Sequence, residues 1–133
     1  MKLHHEWPTP KQYNELARAM GLPDKEEVKL GEALSKSLFG VTLTGEDGEM
    51  IGMGRIIGDG SYIFMITDLI LHPDSAHEDH ICAILQALMD FIESNASQGA
   101  EIVIMADVPS IGIYQKHGFN YTYPNKISLS RTL

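Results

Sequence analysis

Residues 62–72, YIFMITDLILH, are nearly continuously apolar. A strand with one wet face alternates apolar and polar residues, and this run does not. It therefore predicts a central strand covered on both faces and ended by Pro73. Its only acid, Asp68, must find a partner if its carboxylate is buried.

The covers are legible on either side of the run. Residues 81–96 set Ile81, Ile84, Leu85, Leu88, Ile92 and Ala96 at helical spacing, an amphipathic helix with Cys82 on its core side. TPKQYNELARAMGLP predicts a helix capped by Thr9, with Pro10 in its first turn. Tyr13, Leu16, Ala17 and Met20 share a face, and Gly21 and Pro23 stop it. EVKLGEALSKSL predicts a second helix, weakened by Gly31 at a cost of roughly 1 kcal/mol.

Between these helices and the central run, Phe39, Val41 and Leu43 alternate before the turn GEDGE, and a second strand follows from Met50. This is the pattern of a hairpin. After the amphipathic helix come a short buried strand, EIVIMA, and a short helix, PSIGIYQKHG, with Pro109 near its start and Gly118 at its end. FNYTY and KISLSRTL read as two closing strands. The order predicts an α/β fold, an α+β sandwich with helices on both faces of a partly antiparallel sheet. The length of 133 residues suits a single domain spanning 1–133.

The formal net charge of −8 excludes the basic face that a nucleic-acid-binding protein needs. It also weakens attraction to anionic lipids and anionic ligands. The single cysteine, Cys82, points to a cytoplasmic setting. The N-terminus lacks the apolar run of a signal peptide, and no segment is apolar enough over a bilayer's thickness.

Three pieces in register resemble the GNAT superfamily of acyl-CoA-dependent N-acetyltransferases, over about residues 38–123. They are the hairpin strand MIGMGRIIGDG, the strand ITDLILHPD followed by the helix AILQALMDFIE, and IYQKHGF, which is similar to the family's Tyr-x-x-x-Gly-Phe pattern. The resemblance implies a mostly antiparallel mixed sheet with a splayed parallel pair at its centre. The pair would be the strand ending near His72 and the strand EIVIMA, with acetyl-CoA wedged between them. It further implies that the backbone at Leu69, Ile70 and Leu71 holds the pantetheine arm. A small primary amine would then attack the thioester directly, and Tyr114 would protonate the leaving thiolate, a general-acid role that a tyrosine's high pKa suits. By spacing alone, Tyr114 can equally be a residue that packs on the sheet.

The family's Arg/Gln-x-x-Gly-x-Gly/Ala loop, which binds the CoA pyrophosphate at a helix N-terminus, aligns with residues 76–81. Here Ala76 replaces the first residue, Glu78 the often basic one, and Asp79 and Ile81 the glycines. Lys116 is the nearby basic residue. The candidate contacts to the cofactor outside the strand are therefore His77, Asp79, His80, Ile81 and Lys116. Three readings of HPDSAHEDHICAIL stand open. Ser75 and Glu78 have the spacing of a capping box. Alternatively, acetyl-CoA binds with a weakened pyrophosphate grip. Alternatively, His77, His80 and a neighbouring carboxylate hold a metal ion.

On the acceptor side, the resemblance puts Arg55 and Asp59 beside the substrate, Arg55 for a carboxylate and Asp59 for an amine. Both also fit plain structural roles, as a paired strand arginine and a turn aspartate. Asp68 is either a structural hydrogen-bonding group or a base for the ammonium. Asp107 stands where relatives often have Asn. Trp7, His4 and His5 are further candidates for the pocket border. Two functions follow: an N-acetyltransferase of a small amine, or an inactive member of the same fold that binds a small ligand or a protein. The chain is expected to be a monomer or a homodimer.

Overall fold

The computed structural model describes residues 1–133. The elements are β1 (Lys2–His4), α1 (Pro10–Ala19), α2 (Glu27–Ser35), β2 (Phe39–Thr44), β3 (Met50–Gly58), β4 (Ile63–Leu71), α3 (Glu78–Asn95), β5 (Glu101–Ile104) and α4 (Ile111–Lys116). Short 3₁₀ turns at Pro73–Ser75 and Val108–Ser110 precede α3 and α4. The sheet runs β1-β2-β3-β4-β5, antiparallel except for the parallel pair β4 and β5. This is the mixed α/β architecture expected, except that the parallel pair lies at one edge of the sheet, with β5 outermost, rather than at its centre, because no closing strand adds to β5. No helix is long and apolar enough to cross a membrane.

α1 starts as its sequence dictates. Gln12 N donates to Thr9 Oγ1 at 3.2 Å and Thr9 N donates to Gln12 Oε1 at 3.0 Å, so two otherwise unpaired N–H groups are satisfied reciprocally. Its buried face holds Tyr13, Leu16 and Ala17, which pack with Leu30 and Leu34 of α2 and Met53 of β3. Met20, expected on that face, is the capping residue and is exposed.

The opposite face of the sheet packs on α3 through Ile84, Leu85, Leu88 and Ile92, against Val41, Ile56, Phe64 and Ile66. α3 approaches β3 closely because β3 carries glycine where the helix lies over it. A Cβ on Gly54 would stand 2.9 Å from Ile84 Cγ2 and 3.0 Å from Leu88 Cδ1, and one on Gly52 would stand 2.5 Å from Leu71 Cδ2. The glycines in MIGMGR are thus seats for bulky side chains of the second core.

β3 and β4 slip register in the middle. Met53 faces Ile70 and Arg55 faces Thr67, so Asp68 and Leu69 oppose Gly54 alone. This is a β-bulge, and it turns Asp68 to φ 53°, the only residue other than glycine with positive φ.

The sequence reading missed β1, which pairs Leu3 with Leu43 at the sheet edge. It is short, and no alternation marks it. The two closing strands do not form. Residues 120–133 contain no strand, and Tyr121, Tyr123, Ile127, Leu129 and Leu133 are exposed. Alternation shows only that a segment is able to pair. A strand also needs an edge bonded to it, and the outer edge of β5 pairs with nothing.

Candidate active site

The parallel ladder between β4 and β5 stops at Ile66 opposite Ile104. β4 continues to Leu71, while β5 ends. Beyond Ile66 the side of β4 that faces β5 pairs with no strand, so its backbone groups open into a gap. The gap is a cleft of about 380 Å³, floored by Ile66 and Ile104 and bordered by Leu69, Ile70 and Tyr114. That volume lies within the range of small-molecule sites. Met20 and Leu22, from the turn after α1, close its other side.

Tyr114 is 6% exposed and lies edge-on to Phe119, with ring centroids 6.2 Å apart. No hydrogen bond within the chain holds its hydroxyl, and no buried polar atom lacks a partner, so the hydroxyl is not sealed from solvent, and the side chain borders the cleft. Burial, and then the charge of Asp107, push its pKa above the ordinary tyrosine value. At neutral pH it is a proton donor only. Asp107 also lines the cleft.

Arg55 and Asp68 meet each other. Arg55 Nε donates to Asp68 Oδ2 at 2.7 Å and Arg55 Nη1 donates to Ser37 Oγ at 3.1 Å. Tyr13 Oη donates to Asp68 Oδ1 at 2.8 Å. Both charged side chains are only 17% exposed. Of the two readings open for each residue, this pairing fits the structural one, since each charge already has a partner, although Asp68 also borders the cleft. The bulge makes the pairing possible by turning Asp68 toward α1. Neither Tyr13 nor Ser37 was singled out from sequence. The signal was present for Tyr13: a tyrosine on a buried helix face and an aspartate inside an apolar strand each lack a partner until matched.

Tyr13 is pushed well above its ordinary pKa, by burial first and then by the charge and hydrogen bond of Asp68. An unfolded tyrosine ionises near pH 10. Above that pH the unfolded chain loses tyrosine protons that the folded chain keeps on Tyr13 and Tyr114. Stability should therefore be intact below pH 10 and fall as pH rises beyond it. Urea midpoints between pH 8 and 11 check this, and a flat profile would refute it.

Asp59 fits the turn-aspartate reading. Its Oδ1 accepts from the N–H groups of Ser61, Tyr62 and Ile63 at 2.8, 2.8 and 3.0 Å, and these bonds hold its pKa below the usual carboxylate value. It shapes the turn into the start of β4, roughly 20 Å along the strand from Leu69. Trp7, His4 and His5 also lie away from the cleft. Trp7 packs over Gly40, His4 Nε2 bonds Thr44 Oγ1 at 3.0 Å, and His5 sits edge-on to Phe39. All three belong to the β1–β2 end of the sheet.

The turn before α3 differs from the capping-box reading. Pro73–Ser75 form a 3₁₀ turn, so Ser75 is spent before α3 begins and His77 occupies the N-cap without a side-chain bond. Pro73 starts this turn early, because its fixed φ already suits a helical turn. His80 Nδ1 donates to the Ser75 carbonyl at 2.7 Å, and the His77 and His80 rings meet edge-on with centroids 5.2 Å apart. No group of three or more His, Cys, Asp or Glu side chains is placed to hold a metal ion. Lys116 Nζ donates to Glu78 Oε1 at 3.0 Å, which ties α4 to the first turn of α3. Cys82 is half-buried.

No family profile and no curated protein matches the sequence. Solved structures do match the fold. A probable acetyltransferase of unknown function from meticillin-resistant Staphylococcus aureus superposes with a TM-score of 0.90 at 28% identity, over 99% of this chain and 98% of that one. A GNAT-family acetyltransferase from Streptococcus pneumoniae gives 0.79 at 18% identity, over 99% and 96%. Glucosamine-6-phosphate N-acetyltransferase from Arabidopsis thaliana gives 0.74 at 12% identity, over 99% of both chains. The chain has the fold that these acetyltransferases, the GNAT-family protein among them, share.

Proposed function

We propose that this chain is an N-acetyltransferase that moves an acetyl group from a thioester in the β4–β5 cleft to a small primary amine. The observation that carries this reading is the end of the β4–β5 ladder at Ile66, which opens the edge of β4 into a cleft that Tyr114 borders. The open backbone between Thr67 and Leu71 suits an amide-rich pantetheine arm, which needs both donors and acceptors. Bound acetyl-CoA supplies an acetyl thioester, whose carbonyl carbon takes the amine lone pair as its C–S bond breaks.

The chain's residues divide the remaining work. Backbone N–H groups of β4 polarise the thioester carbonyl. Tyr114 gives its proton to the departing sulfur, and its raised pKa keeps that proton available across the neutral range. Asp107, the cleft carboxylate outside the Arg55–Asp68 pair, draws the ammonium form of the acceptor inward. The ammonium gives one proton to solvent, the neutral amine attacks, and the proton that the acylated nitrogen then loses restores Tyr114. Met20 and Leu22 keep water off one side.

A second reading, an inactive ligand- or protein-binding member of the fold, is favoured by one observation, the acidic first turn of α3. Calorimetry separates the two. Acetyl-CoA should bind saturably, and thiol release should rise with a primary amine from a panel of small amines. Absence of binding at millimolar acetyl-CoA would remove the enzyme reading.

A further inference from the structure

The cleft and the first turn of α3, which Lys116 ties to the helix that carries Tyr114, suit different halves of an acyl-CoA. The strand edge from Thr67 to Leu71 and the apolar walls fit a pantetheine arm. The first turn of α3 does not fit a diphosphate. A diphosphate at a helix N-terminus needs free N–H groups, close backbone approach and positive charge. Here residues 72–85 contain no glycine, so side chains stand wherever a phosphate would approach the backbone. Glu78 and Asp79 occupy the first turn and supply the negative charge that the helix end attracts. Lys116, the ammonium that reaches this turn, is already bonded to Glu78. Asp74 is exposed on the preceding turn. Phosphates brought here meet carboxylates, and like charges lower affinity.

We infer that the cleft recognises only the pantetheine half of its thioester donor, and that the nucleotide diphosphate half contributes no binding affinity. The donor class is therefore any acetyl-pantetheine thioester, with or without the nucleotide. This rests on the cleft being the donor site, and it concerns which part of the donor that site reads.

Calorimetry on the full chain with acetyl-CoA and with acetyl-pantetheine tests it. Acetyl-CoA should bind equally or more weakly, and a preference for acetyl-CoA of more than about threefold would overturn the inference while leaving the donor cleft in place. If neither thioester binds at millimolar concentration, the donor cleft itself is refuted and the inference falls with it. Added salt gives an independent sign. It should leave or raise the affinity for acetyl-CoA, because it screens repulsion, whereas a site that neutralises phosphates loses affinity.

A paired substitution, Glu78→Gln with Asp79→Gly, removes both charges, frees Lys116 and restores one glycine. Acetyl-CoA affinity should rise about tenfold, with acetyl-pantetheine unchanged. If both affinities stay where they were, the acidic turn does not set donor selectivity and the inference is wrong.

Discussion

Replacing Tyr114 with phenylalanine should slow acetyl transfer by about 10²–10⁴-fold, the usual contribution of a positioned general acid. The substitution removes only the hydroxyl. That hydroxyl holds no partner inside the chain, and the ring contact with Phe119 is kept. The variant should therefore keep its unfolding midpoint and its affinity for acetyl-CoA, and the loss should appear in kcat rather than KM. Thiol release with the best amine of the panel provides the rate, and calorimetry provides the binding. If Tyr114→Phe keeps its rate, Tyr114 is a packing residue and the proton reaches the sulfur another way.

The largest stability effect should come from Asp68. Asp68→Ala leaves the Arg55 guanidinium largely buried without a carboxylate and deprives Tyr13 of its acceptor. Breaking one side of such a pair costs about 3 kcal/mol, or roughly 10 °C in melting temperature for a chain of this size. The backbone adds a second component, since alanine at φ 53° is strained and glycine is not. Asp68→Gly should thus lose the pair but sit about 1 kcal/mol above Asp68→Ala. Denaturant midpoints for the two variants separate pairing from strain. Equal midpoints would mean that the bulge stores no strain. A midpoint for Asp68→Ala close to the parent's would mean that the network does not stabilise the fold.

This network also shows where sequence reading stopped. Arg55, Asp68 and Tyr13 are distant in the chain, and each admits several roles alone. Only the bulge, in which two residues of β4 face one of β3, turns Asp68 toward both partners. A register slip depends on how two strands settle against two helices, and no local pattern records it. The same holds for the gap between β4 and β5. The family resemblance implied it, but the residues of either strand show only that each is apolar.

What the chain determined locally is what local physics can specify. Thr9 and Gln12 start α1 by their own hydrogen bonds. The 3.6-residue spacing of Ile84, Leu85, Leu88 and Ile92 makes α3 and chooses its buried face. The apolar run of β4 demands cover on both sides, and the two cores provide it. Tyr114 was a candidate from its motif, and the fold puts it against the cleft. Tertiary structure decided the rest. It paired Arg55 with Asp68, kept Asp59 at the far turn and brought Lys116 onto Glu78. It also left residues 120–133 unpaired beside the free edge of β5, despite their alternation. Helices and turns close their hydrogen bonds within a few residues. Strand pairing, ion pairs and clefts depend on groups that only the folded chain brings together.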